Sequence, residues 1–224
     1  IEKFCKSHIA PKFQEWEDKG IFPRQLWNEL GAAGLLCIDI PEEYGGLGLG
    51  YLELCVIAEE SGRSLAPTPF SSSVYLATES ILQFGSDSLK QANLPSLASG
   101  EKIGAFAHAE STTSPTEKNI TCEFKDGSLS GSKIAVTDGD VADFFIVSAK
   151  SGSEVGLFLV ESSIDGVEIT SQPTLDPSRS HAAITFKNAK AEALDSGWSN
   201  ITTLLDRAAV LFSFEQLGGA EACM

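Results

Sequence analysis

The chain has 224 residues, 42% of them hydrophobic and 21% charged, with 31 acidic residues against 16 Lys and Arg and a formal net charge of −15. That length and composition suit more than one buried core and exclude a disordered chain. The acidic balance argues against a nucleic-acid partner, which needs a basic stripe, but backbone dipoles can still hold phosphate on an acidic protein.

No apolar run approaches the ~20 residues that span a bilayer, and the first residues carry scattered charge rather than a signal core. Without an initiator Met, the chain reads as one whose first residues, with any short targeting segment, precede Ile1. The five cysteines are scattered, odd in number and never in a C-x-x-C pair, so they read as reduced, mostly buried thiols of a cytosol-like compartment. The sequons at Asn119 and Asn200 read as chance matches.

Helical patterning fills the first hundred residues. Pro23 suits a first helical turn, and Leu26, Trp27, Leu30 and Ala33 form one apolar face before Gly34. A glycine-rich loop, Pro41 to Gly50, follows. Tyr51, Leu54, Cys55 and Ala58 then share a face that ends near Gly62. Pro67 and Pro69 break the chain; Val74, Ala77 and Ile81 make another stripe, stopped by Gly85, and a short helix over Leu89 to Leu97 ends at Gly100.

Beyond Gly100 the texture is that of strands. Ile120, Cys122 and Phe124 alternate with polar residues, as do Val167 with Ile169 and Ile184 with Phe186. Phe144 to Val147 and Leu157 to Val160 are continuous apolar runs, the pattern of strands covered on both faces, and four residue-Gly pairs, from Asp126-Gly127 to Asp165-Gly166, supply turns. From Ser199 the period is helical again, with Ile201, Leu204, Leu205, Ala208, Leu211 and Phe212 on one face. A helix this apolar, still running at Met224, calls for covering partners, from further chain or another subunit.

No self-contained catalytic constellation stands out. Gly46 and Gly48 would need a glycine at position 51 to complete a dinucleotide fingerprint, and that residue is Tyr51. His8, His108 and His181 lie far apart without metal-ligand spacing, and there is no G-x-S-x-G elbow, so neither a metal site nor a serine hydrolase is expected.

A series of segments in fixed order nevertheless resembles one family. Leu30 to Leu36, Ile40 to Gly48 and Ala58 to Arg63 resemble the N-terminal domain of acyl-CoA dehydrogenases. Leu94-Pro95 and Ala98 to Glu101 are similar to the entry to that family's middle domain, Gly104 to Glu110 to its first flavin-contacting strand, and Leu129 to Asp143 to its second. Leu205-Asp206-Arg207 and Gly218-Gly219-Ala220 resemble its first C-terminal helix.

The resemblance implies an α+β fold: an N-terminal helical domain over 1–100, a middle antiparallel β-barrel or sandwich domain over 101–195, and over 196–224 the first helix of a C-terminal four-helix bundle that is cut off. It implies FAD, an acyl-CoA substrate undergoing α,β-dehydrogenation, and electrons passed to an electron-transferring flavoprotein. It also implies a homodimer, homotetramer or heteromeric pair in the bacterial cytoplasm or the mitochondrial matrix.

Carried across by position, Phe106, His108, Ala109, Ala135, Val136 and Thr137 would contact the flavin, and Ser111 and Asp206 the substrate. Ala109 replaces the family's threonine and Ala135 its tryptophan; Ser111 replaces a proline, and Thr112 to Thr116 a glycine-serine-aspartate loop. The position at which some members carry the catalytic glutamate is Ala208, so no catalytic residue is assigned within 1–224; Arg207 reads equally as a ligand contact or a solvent-facing charge. Three functions follow: an FAD-dependent acyl-CoA dehydrogenase, a non-catalytic partner subunit of a heteromeric one, or a separate acyl-CoA-binding module.

Overall fold

The computed structural model describes residues 1–19, 22–176 and 178–224. A short helix α1 (Glu2–Phe4) runs into a π-helical turn (Cys5–Ile9), followed by α2 (Phe13–Lys19) and α3 (Arg24–Ala32). Leu26, Trp27 and Leu30 of α3 are buried, as their spacing predicts, but Ala33, expected on the same face, caps the helix and is exposed. Helix α4 (Tyr51–Arg63) begins where Glu53 turns back to accept the Gly50 N–H at 2.9 Å.

The stripe at Val74 and Ala77 belongs to a π-helical segment, Phe70–Thr78, which tightens into α5 (Glu79–Phe84). Helix α6 (Asp87–Ala98) is capped by Ser86, whose hydroxyl accepts the Leu89 N–H.

The strands are β1 (Gly104–Ala107), β2 (Glu123–Lys125), β3 (Ser128–Thr137), β4 (Phe144–Ser151), β5 (Glu154–Glu161), β6 (Val167–Gln172), β7 (His181–Lys190) and β8 (Glu192–Ala193). They form one sheet in the order β6-β7-β3-β2-β4-β5-β8, with β1 beside β4. Most pairs are antiparallel, but β1 and β2 both run parallel to β4, so the sheet is mixed rather than wholly antiparallel. The long connection after β1 permits this, since parallel neighbours cannot be joined by a tight turn. Ile120 and Cys122 are buried as their alternation implies, but only Glu123–Lys125 pairs as strand.

Strand β4 explains its unbroken apolar run. Phe144 and Ile146 pack toward the helices, while Phe145, Val147 and Ala149 pack into the curl of the sheet. Each buried phenylalanine contributes about 2–3 kcal/mol of burial. The closing helix α7 (Trp198–Ala222) lies along α4. Contact there is backbone to backbone: a Cβ on Gly62 would fall 1.8 Å from the Glu215 carbonyl oxygen, and one on Gly218 1.8 Å from that of Glu59. Among the described residues no helix is long and apolar enough to cross a membrane.

Candidate active site

The edge of β1 and the end of β3 meet the helices at a cleft of 470 Å³. Phe106 and Thr137 form its sheet side. Ser71, Ser72 and Leu76 of the π-helical segment, Phe212 and Glu215 of α7, and Arg179 and His181 at the β6–β7 connection close the rest.

Strand β3 is bent here. Its register with β7 shifts between Lys133 and Val136, and Ala135 takes a left-handed conformation (φ 50°). The bulge leaves Ala135 exposed, with its N–H donating to Gln172 Oε1 at 2.9 Å, while Val136 drops into the sheet interior. Val136 can therefore meet a ligand in the cleft only through its backbone. Ile134 N–H donates to the Ala109 carbonyl at 2.8 Å, which ties the segment just after β1 to the bulge.

His108 turns toward the helical side. Its Nδ1 lies 2.8 Å from Ser148 Oγ, and its ring stacks on Trp198, with centroids 6.0 Å apart. Burial, reinforced by the nearby Lys133 charge, lowers its pKa to about 4, so the imidazole is neutral at physiological pH. Lys133 has no exposed side-chain surface; its ammonium reaches Glu110 Oε1 at 2.7 Å, Ser148 Oγ at 3.2 Å and the His108 carbonyl at 3.1 Å. Glu110 in turn accepts from the Thr121 and Cys122 N–H groups, closing the connection between β1 and β2. Burial works against the Glu110 carboxylate, but its hydrogen bonds and the Lys133 charge bring its pKa below the usual range.

At the other end, Arg179 pairs with Glu215 at 2.6 Å and donates to Ser71 Oγ. Ser72 donates to Asp138 at 2.6 Å, and burial pushes the Asp138 carboxyl up. His181 Nε2 sits 3.3 Å from Thr137 Oγ1, a role that spacing alone did not single out. Ser111 and Asp206 are exposed and line no part of this cleft. Ala208 is fully buried. Arg207 is neither a cleft residue nor a free surface charge: it pairs with buried Glu79 at 2.6 Å and lies 4.4 Å over the Tyr51 ring.

Residues 1–101 match the family profile described as acyl-CoA dehydrogenase, N-terminal domain. The mitochondrial isovaleryl-CoA dehydrogenase of Arabidopsis thaliana is 32% identical over 179 residues, 74% of this chain and 44% of that protein. Butyryl-CoA dehydrogenase from Megasphaera elsdenii superposes with a TM-score of 0.88 at 26% identity, over 99% of this chain and 64% of that one.

The chain belongs to the acyl-CoA dehydrogenase family. It spans less than half the length of the Arabidopsis relative. Two further structures share the fold: the ChsE4-ChsE5 complex from Mycobacterium tuberculosis (29% identity, TM-score 0.86, 99% of this chain and 61% of that one), and a glutaryl-CoA dehydrogenase from Mycobacterium smegmatis in complex with FADH2 (22% identity, TM-score 0.88, 99% and 60%).

Of the positions that the family resemblance nominates for the flavin, two line the cleft and two, Ala109 and Ala135, do not. Phe106 and Thr137 border the cleft, Ala135 is exposed on the bulge, and methyl groups at 109 and 135 put nothing in the way. Ala109 offers no side-chain hydroxyl and Ala135 no aromatic ring.

Proposed function

We propose that the protein is an FAD-dependent acyl-CoA dehydrogenase that oxidises the α,β-bond of an acyl-CoA thioester. The observation that carries this is the convergence of Phe106 and Thr137, from strands well separated in sequence, on one cleft walled by α4, α7 and the Phe70–Thr78 segment. The FADH2 held by the mycobacterial glutaryl-CoA dehydrogenase of the same fold supports the cofactor. Bound FAD supplies the hydride acceptor. Phe106 and Thr137 would border its ring, Thr137 with its hydroxyl, and Ala109 and Ala135 would stand beside it. The helices on the opposite side exclude water and place the acyl chain.

The α-proton needs a dry carboxylate. Ala208 cannot supply it, and Glu215 is bound to Arg179. The base then comes from outside residues 1–224, and electrons leave to an electron-transferring flavoprotein. The mitochondrial Arabidopsis relative supports a matrix setting, with the bacterial cytoplasm as the alternative.

The full-length protein is expected to purify yellow and to bleach when acyl-CoA is added without oxygen. A colourless protein that takes up no FAD defeats the proposal.

A second reading, a partner subunit that completes another chain's site, is favoured by the alanines at 109, 135 and 208 and by the likeness to one member of the ChsE4-ChsE5 complex. Turnover by the full-length chain alone, as a homo-oligomer, removes it.

A further inference from the structure

Side chains along a strand alternate between the two faces of a sheet. Val136 and its β7 partner Ala182 pack into the sheet interior. Thr137 and His181, the next facing pair, therefore point the other way, and both line the cleft. Thr137 Oγ1 and His181 Nε2 lie 3.3 Å apart, and the threonine hydroxyl has no other hydrogen-bond partner among the described residues.

The second ring nitrogen decides which of the two atoms donates. His181 Nδ1 is buried and has no hydrogen-bond partner among the described residues. Gln172, the partner of His181 on β6, places its side-chain oxygen on the Ala135 N–H instead. A neutral imidazole carries one proton, on one nitrogen or the other. On Nδ1 it would make a buried N–H without an acceptor, an orphan that folded proteins rarely keep; a lone pair left unshared there is better tolerated. The network therefore assigns the proton to Nε2.

With its proton on Nε2, the imidazole donates to Thr137 Oγ1. The threonine's own proton then turns away from the ring and is free for an acceptor atom in the cleft. The opposite tautomer would reverse this: Thr137 would donate to Nε2 and show the cleft only lone pairs.

We infer that His181 is a positioning residue, which holds the Thr137 hydroxyl as a hydrogen-bond donor to a ring nitrogen or carbonyl oxygen of the ligand in the cleft. The tautomer stands on the geometry of β3 and β7; the ligand it serves rests on the flavin reading above.

Long-range nitrogen–proton NMR correlation spectra of the full-length protein, with His181→Gln to assign the resonance, read the tautomer. His181 should show a protonated Nε2 and a bare Nδ1. Titration with FAD, followed by quenching of flavin fluorescence, reads the consequence. His181→Phe keeps a ring but not the donor, and should weaken FAD binding about three- to tenfold. His181→Gln, whose amide can donate from the same place, should stay within about twofold of wild type. A protonated Nδ1 overturns the inference, and so does unchanged FAD affinity in His181→Phe. If that variant does not fold, the spectra alone decide. If the protein takes up no FAD, the flavin reading fails, while the spectra still decide the tautomer.

Discussion

Lys133 of β3 and Glu110 beyond β1 meet at 2.7 Å, with 0% of the lysine side chain and 11% of the glutamate exposed. The pair joins the strand that borders the cleft to the bulged strand beside it, and Glu110 carries the tie on to Thr121 and Cys122. A buried charge is tolerable only while its partner stands, so removing one side leaves the other uncompensated. Lys133→Met is expected to lower unfolding stability by about 3 kcal/mol, read by urea denaturation. A loss within error of zero would show that Glu110 is satisfied by the backbone alone.

His108 makes the fold acid-sensitive. Its folded-state pKa is lowered from 6.5 to about 4. Below 6.5 the unfolded chain takes up a proton that the folded chain refuses, so this stability is whole above pH 6.5 and is lost as pH falls toward 4. The loss should reach about 2–3 kcal/mol across that window. Comparing thermal unfolding of wild type and His108→Gln between pH 7 and pH 4 checks it: the variant's curve should be flatter there, and parallel curves would refute the assignment.

The crossing of α4 and α7 depends on glycine. A methyl at position 62 would lie 1.8 Å from the Glu215 carbonyl oxygen. Since that neighbour is backbone, relief requires the helices to part. Gly62→Ala should cost about 3 kcal/mol and, by displacing Glu215, open the cleft. Calorimetry that found the variant as stable as wild type would mean the helices slide apart without penalty.

By the family resemblance, Ala109 replaces a threonine at a proposed flavin position. Restoring the hydroxyl with Ala109→Thr should tighten FAD binding about three- to tenfold, as one added hydrogen bond would. Quenching of flavin fluorescence on titration reads this directly. Unchanged or weaker binding would place position 109 away from the flavin.

Much of the helical layer was legible in sequence, because 3.6-residue spacing of Leu26, Trp27 and Leu30, or of Ile201, Leu204, Ala208 and Leu211, records which side of a helix is covered. The double-sided burial of β4 was legible too, as an unbroken apolar run. The parallel course of β1 and the short reach of β2 were not, because local pattern shows that a residue is buried but not which strand lies beside it.

The candidate flavin positions could be placed only by family likeness, and their surroundings did not follow from it. His181 beside Thr137, and Arg179 beside Glu215, are separated by 44 and 36 residues. Nothing in the periodicity of either segment records the other. Sequence by itself determined the elements and their buried faces, since side-chain hydrophobicity and backbone geometry act over a few residues. The tertiary structure decided which charges pair and what lines the cleft, since a Coulomb contact forms only once the whole chain has brought its two ends together.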